Sequence, residues 1–336
     1  MKRRPTIIDV AAKAGVSKTT VSRVVSGDGA RVRDETRSRV LEAIEELGYT
    51  HNAVASSLRT DRTHIIMLAI PDITNPFWPA VARGVQDEME VGGYSVVFAN
   101  SDWDDQREKM FLKMARRNRF DAILINPVRV SNDELKATGL ATVVLGSHED
   151  YPDFDIVGTD SHSGTYQALE HLYELGHRRI GLIRGRRQSR PGHSRLLGYK
   201  DFHRTHGLVY DPSLVIQVPF DEEGGREALR RLINSSEPPT AVVAANDILA
   251  IGVLQEVHEV GLRIPEQLSI VGMDDIRAAS ATTPPLTTVA KPKYEMGRQA
   301  ARFLLDRLHN RPDFGPRRHL FSGKLQRRGS TGPPDK

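Results

Sequence analysis

Residues 6–25, TIIDVAAKAGVSKTTVSRVV, set small apolar positions at helical spacing on either side of one glycine. Thr6 and Asp9 stand at the spacing of a capping box, which opens a first short helix. Val10, Ala11 and Ala14 fall on one of its faces. Gly15 supplies a turn, Val16 plugs the corner and Ser17 caps a second helix. Its Val21, Val24 and Val25 face inward, which leaves Lys18, Thr19, Thr20, Ser22 and Arg23 pointing out. A third helix is expected over 34–47, capped by Asp34 and ended by Gly48, with Val40, Leu41, Ile44 and Leu47 as its apolar stripe. These three helices are long enough to share one small core. Residues 52–59 form a helix-capable segment begun by Asn52, too short to hold alone in water. A polar connector follows over 60–64.

From Ile65 the period changes. Short apolar runs occur at 65–70, 95–99, 122–125, 142–145, 179–183, 214–218, 241–245 and 268–272. Between them lie amphipathic stretches at 77–91, 105–117, 162–175, 195–206, 222–234, 247–260 and 293–309. Strands that alternate with helices build a parallel sheet covered on both faces. This region is large for one sheet, so two Rossmann-like lobes with a cleft between them are expected. The fold class is an all-α helix-turn-helix headpiece followed by a two-lobed α/β core. In such sheets ligands sit beyond the carboxyl ends of strands. The segments to watch are 72–78, 100–103, 146–148, 184–195, 220, 246–247 and 274–275.

Charge sharpens this division. Residues 1–62 carry twelve Lys and Arg against eight Asp and Glu, a surplus that equals the whole chain's net +4. The tail 316–336 is basic as well, six against one, so the middle is slightly acidic. A basic head with a polar, cationic second helix is what a helix-turn-helix DNA reader presents to phosphate. There are no cysteines, which excludes disulfides, thiolate catalysis and cysteine zinc sites and fits a reducing cytoplasm. No apolar run reaches the length of a membrane span, and MKRRPT is followed by no apolar segment of a signal peptide.

An enzyme is the first rival reading. Asp160, Ser161, His162 and Ser163 have the ingredients of a catalytic triad but are adjacent, whereas triads are assembled from distant segments. The common nucleophile-elbow, zinc-protease and P-loop motifs are missing, and the twelve histidines are scattered. Neither catalysis, a metal nor a cofactor is expected. A transport-type solute-binding protein without DNA activity is the second rival, opposed by the basic head.

The stretches TIIDVAAKAGVSKTTVSRVVSG, VRDETRSRVLEAIEELGY, PDITNPFW, GTDSHSGTYQALEHLYELGHRRIGLI, AANDILAIGVLQ, GMDD and PPLTTV, in this order, closely resemble the lac-repressor-type (LacI/GalR) family. They span nearly the whole chain. The resemblance implies a cytoplasmic transcription regulator that binds a near-palindromic double-stranded operator as a homodimer and answers to a small metabolite, a sugar or sugar derivative. It implies a headpiece at 1–50, a hinge helix and linker at 51–63, and an effector-binding and dimerisation core at 64–336. Lobe 1 then takes about 64–161 and 291–318, and lobe 2 about 162–290 and 319–333.

By the same resemblance Lys18, Thr19 and Arg23 occupy the base-reading positions, and Thr6, Ser17 and Tyr49 suit phosphates. Asn52, Ala55 and Leu58 are the DNA-facing hinge residues, with Leu58 the minor-groove wedge. The family commonly places a proline before Asn52 and an arginine after Ala55. Here His51 and Ser56 stand there, so a hinge that orders more weakly is expected. The effector residues carried over are Trp78, Arg195, Phe220, Asn246 and Asp274. Gly146 replaces an acid that many members carry, and 184–195, RGRRQSRPGHSR, is dense in cations. Both departures favour an acidic or phosphorylated effector over a neutral sugar.

Overall fold

The computed structural model describes residues 5–25, 32–50, 62–146, 150–185, 191–309 and 315–335, with Pro191 and Gly192 described by backbone alone. The chain divides between Thr63 and His64 into two compact units.

The first unit holds helices α1 (Ile7–Ala14), α2 (Lys18–Val25) and α3 (Asp34–Leu47). Asp9 Oδ2 accepts both the Thr6 backbone N–H and its hydroxyl, each at 2.7 Å. Gly15 turns the chain at φ 65°, in the left-handed region that suits glycine. Ser17 Oγ accepts the Thr20 N–H at 3.1 Å and so starts α2. Val10, Ala11, Ala14, Val21, Val24, Val40 and Ala43 form the buried core, with Val16, Val25, Ile44, Leu47 and Tyr49 packed around it. Two expectations for α3 are corrected. Asp34 is its first helical residue rather than its cap, a position where a carboxylate still faces the positive end of the helix dipole. Leu41 points outward, 48% exposed, because Val40, Ala43, Ile44 and Leu47 already define the inner face at helical spacing. The expected hinge helix at 52–59, with Asn52, Ala55 and Leu58, lies outside the described residues.

The second unit contains two six-stranded sheets. Sheet 1 is built from β1 (Ile65–Ile70), β2 (Ser95–Asn100), β3 (Ala122–Ile125), β4 (Ala141–Leu145), β5 (Asp155–Thr159) and β11 (Arg318–Phe321). Its order is β11-β5-β4-β3-β1-β2, with every pairing parallel. Sheet 2 uses β6 (Ile180–Gly185), β7 (Val215–Val218), β8 (Ala241–Ala244), β9 (Ser269–Asp274), β10 (Thr287–Ala290) and β12 (Lys324–Gln326). Its order is β12-β10-β9-β8-β6-β7, and only β12 runs antiparallel to its neighbour.

Helices α4 (Phe77–Val91) and α11 (Lys293–His309) cover one face of sheet 1; α5 (Asp105–Arg117) and the short α6 (Asn132–Lys136) cover the other. Around sheet 2, α7 (Ser161–Glu174) and α8 (Pro191–Thr205) lie opposite α9 (Glu222–Ile233) and α10 (Asp247–Glu259). The chain passes between the lobes three times, at 159–161, 290–293 and 321–324. The third passage comes later than expected, since Arg318–Phe321 pairs with β5 in sheet 1. That edge strand is largely exposed and has no apolar run to announce it. β5 and β10 escape the hydrophobic pattern for another reason: Asp155 and Gly158 interrupt the one and two threonines the other, yet both are interior strands and almost fully buried.

Two glycines set how closely α4 and α11 approach. A Cβ on Gly84 would lie 2.1 Å from the Tyr294 carbonyl oxygen, and one on Gly297 would lie 2.0 Å from that of Val81. Backbone on each helix is the obstacle, so no side chain can swing away. Gly84→Ala is therefore expected to destabilise the core by about 1–3 kcal/mol, although alanine favours the helix by about 1 kcal/mol. An unchanged urea midpoint would show that the two helices slide apart freely.

Candidate functional site

The carboxyl ends of both sheets open onto one cleft, about 640 Å³ counted together with its open mouth. From lobe 1, the loop after β1 contributes Asn75, the start of α4 contributes Phe77 and Trp78, and the loop after β2 contributes Trp103. Asn126 and Gly146 follow β3 and β4, and Met296 reaches in from α11. From lobe 2 come Arg195 on α8, Phe220 after β7, Asn246 after β8 and Asp274 at the end of β9. Thr159, Ser161 and Lys291 sit on the passages between lobes. All five effector residues expected from the sequence, Trp78, Arg195, Phe220, Asn246 and Asp274, thus line the same cavity.

Local chemistry fixes each wall. Phe220 stacks on Trp103 across the cleft, centroids 5.2 Å apart and planes 21° apart, so one aromatic pair joins the two lobes. Gly185 lets it do so: a Cβ there would stand 1.9 Å from the Phe220 ring. Trp78 is buried and meets Phe77 edge-on at 5.1 Å, so it serves the lobe 1 core and the cavity wall together. Asn246 Oδ1 accepts the Leu249 N–H at 2.9 Å and caps α10. Asn126 donates through Nδ2 to the Leu145 carbonyl at 2.6 Å.

Asp274 is not a cap. Its φ of 114° swings it out of the strand, and its Oδ1 accepts from Lys291 Nζ at 2.9 Å in a buried ion pair. The next lysine, Lys293, donates to the Asp274 and Asp275 carbonyls. Arg195 and Lys291 are both buried. Burial pulls each toward a lower pKa, and the Asp274 charge pulls each partly back. Arg184, next to Gly185 in β6, is buried too and shares this lowering by desolvation.

Behind this wall Asp247 is fully buried. Its carboxyl accepts from the Thr288 hydroxyl at 2.5 Å and the Ile276 N–H at 2.8 Å. Burial, with Asp274 nearby, outweighs those hydrogen bonds and raises its pKa to about 7. The folded chain therefore holds this proton more tightly than the unfolded chain does. Its contribution to stability is full below the ordinary carboxyl range and drains away as pH rises to about 7, by up to about 1.4 kcal/mol per pH unit. Asp247→Asn mimics the protonated form, with its carbonyl for Ile276 and its amide for the Thr288 hydroxyl. We expect this variant to flatten the loss of stability between pH 5 and 7, followed by urea midpoints at each pH. Parallel curves for the two proteins would refute the assignment.

Sequence reasoning missed Lys291, Thr159 and Ser161 because β5 and β10 were not recognised, so the residues just beyond them were not watched. Asn75, Phe77 and Trp103 fell in watched segments without being singled out, Gly146 was noted only for the acid it replaces, and Asn126 and Met296 lay outside those segments. Asp160 accepts the Ser163 N–H at 2.9 Å and caps α7, while His162 turns to Asp201 at 2.8 Å. Ser147, His148 and the cations of 186–190 lie outside the described residues.

In the headpiece, Ser17, Lys18, Thr19 and Arg23 are exposed, while Thr6 and Tyr49 are half-buried. Thr6 and Ser17 use their hydroxyls in capping. Among the described residues no His, Asp and Glu cluster is placed to hold a metal, and no helix is long and apolar enough to cross a membrane.

Residues 6–52 match the family described as bacterial regulatory proteins, lacI family, and residues 169–331 match the periplasmic binding protein-like domain. The chain is 34% identical to the HTH-type transcriptional repressor CytR of Escherichia coli (strain K12), over 97% of this chain and 96% of that one. The chain belongs to the lacI family of bacterial regulatory proteins. Its fold is similar to that of a lac repressor dimer bound to operator and the anti-inducer ONPF, with TM-score 0.87 and 26% identity over 98% of this chain and 100% of that one. It is similar also to a transcriptional regulator CelR–cellobiose complex, with TM-score 0.73 and 31% identity over 97% and 100%. As in this lacI-family lac repressor structure, helix-turn-helix elements precede two parallel-sheet lobes.

Proposed function

We propose that this lacI-family chain is a cytoplasmic, non-enzymatic transcriptional repressor. It binds a near-palindromic operator as a homodimer and is controlled by a small metabolite held between its lobes. The observation that carries this reading is a cavity whose walls come from both lobes, in a chain that also bears an exposed cationic recognition helix. A ligand that touches Trp78 on one side and Arg195, Phe220, Asn246 and Asp274 on the other changes how the lobes meet. Binding of effector and of operator then influence one another reciprocally. Lys18, Thr19 and Arg23 read base edges, Thr6, Ser17 and Tyr49 hold the phosphate backbone, and Asn52, Ala55 and Leu58 belong to the hinge.

The relatives named a repressor, an operator-bound dimer and a cellobiose complex support each part of this reading. A second copy also has a place to pair. β2 is the outer strand of sheet 1, and its Phe98 is 46% exposed. Selection of bound sites from random DNA tests the proposal. The expected outcome is a two-fold symmetric sequence whose retardation on gels weakens steeply as salt is raised. A solute-binding protein without DNA activity would enrich nothing.

A further inference from the structure

We infer that the cleft selects a ring compound bearing an acidic oxyanion, a carboxylate or a phosphate ester, and that Lys291 together with Arg195 confers this selection. The inference rests on the reading of the cleft as the effector site.

A site for neutral polyols needs carboxylates free to accept hydroxyl protons. Among the described cavity residues the only acid is Asp274, and Lys291 already occupies its Oδ1 at 2.9 Å. Among the described cavity residues two cations, Arg195 and Lys291, thus share one carboxylate, a surplus of one positive charge on the described lining. Arg184 adds to it from behind: it is 5% exposed, and its Nε has no hydrogen-bond partner among the described residues. Buried like charges of this kind repel one another and lack solvent, a cost that an incoming anion relieves. A lysine keeps two more donor protons after serving Asp274, and these are directed by a buried, fixed amine.

The other walls define what carries the acid. Phe77, Trp78, Trp103 and Phe220 offer flat apolar faces to a ring, and Asn75, Asn126 and Asn246 offer amides to its polar edge. Lys291 Nζ lies 5.7 Å from the centre of the Phe77 ring, so the acidic end and a ring-packing surface are within one small molecule's length.

Thermal shift of the full chain at constant ionic strength, with matched probes, decides the matter. The pairs are glucose against glucuronate and glucose 6-phosphate, ribose against ribose 5-phosphate, and adenosine against its 5′-monophosphate. We expect at least one acidic member to bind about ten- to a hundredfold more tightly than its neutral partner. Carboxylate and phosphate arms separate the two oxyanions. Lys291→Gln keeps a donor for Asp274 while removing the charge, and it should abolish most of that preference. The inference is overturned by a neutral member that matches its acidic partner, by a preference that survives Lys291→Gln, or by a panel in which no member shifts the melting point. If that variant does not fold, the matched pairs on the native chain decide alone. Operator retardation measured on the same preparation keeps this outcome separate from a failure of the DNA-binding reading.

Discussion

Asp155→Ala should destabilise the core by about 3–5 kcal/mol, the usual cost of breaking a buried charge network from one side. Asp155 stands at the start of β5 with its side chain fully buried. Arg307 of α11 donates to it through Nη2 at 2.7 Å and Nε at 3.0 Å. Arg317, next to β11, donates its backbone N–H at 2.7 Å and its Nη2 at 2.8 Å. One carboxylate thereby ties a central strand to the last helix of lobe 1 and to the edge strand that returns from it. Alanine would remove the carboxylate that both arginines share and leave Arg317 with the more exposed Asp306.

Burial alone would raise the pKa of Asp155, but the hydrogen bonds from Arg307 and Arg317 outweigh it and hold the carboxyl below its ordinary range. Its stabilisation is therefore present above the unfolded carboxyl pKa and is lost only as pH falls through the lower folded value. Urea midpoints of the native chain and the variant should differ most at neutral pH and converge in acid. A variant as stable as the native chain at pH 7 would refute the network's role. Asp155→Asn, which keeps the acceptor oxygen and loses the charge, should fall between them.

This network was invisible in the sequence, and the reason is instructive. Amphipathic helices and apolar strands are written in local periodicity, so 77–91, 105–117 and 293–309 could be placed within a residue or so. Pairing partners across 152 or 162 residues leave no local mark. The same distinction divides the cavity. Trp78, Arg195, Phe220, Asn246 and Asp274 follow strands or motifs that resemblance and pattern locate. Lys291 follows β10, whose two threonines look polar in a plot of hydropathy although they are fully buried. Thr287 donates its backbone N–H to Ser330 and pairs its hydroxyl with Thr331, and the Thr288 hydroxyl donates to Asp247, so these polar groups are satisfied by residues far along the chain. A buried polar strand is legible only once its partners are known.

Arg23→Ala should weaken operator binding by about 30-fold to 10⁴-fold while leaving the fold intact. Arg23 lies in the last turn of α2 and is exposed, whereas the headpiece core is made by Val21 and Val24 beside it. Truncation thus removes nothing that α1 and α3 pack against. A guanidinium fork on a guanine edge is worth about 1–3 kcal/mol, and the proposed homodimer would present it twice, so about 2–6 kcal/mol is at stake. Lysine separates base reading from phosphate holding. Arg23→Lys keeps the charge and loses the fork, so a phosphate contact would be largely restored by it and a guanine contact would not. The salt dependence gives a second readout: loss of a phosphate contact flattens the slope by about 0.9 for each copy, and loss of a base contact leaves it nearly unchanged. Selection with the variant should also relax the preference at one symmetric pair of positions. An alanine variant that binds within threefold of the native chain, with the same site preference, would remove Arg23 from the reading surface and shift attention to Lys18 and Thr19, exposed at the opposite end of the same helix.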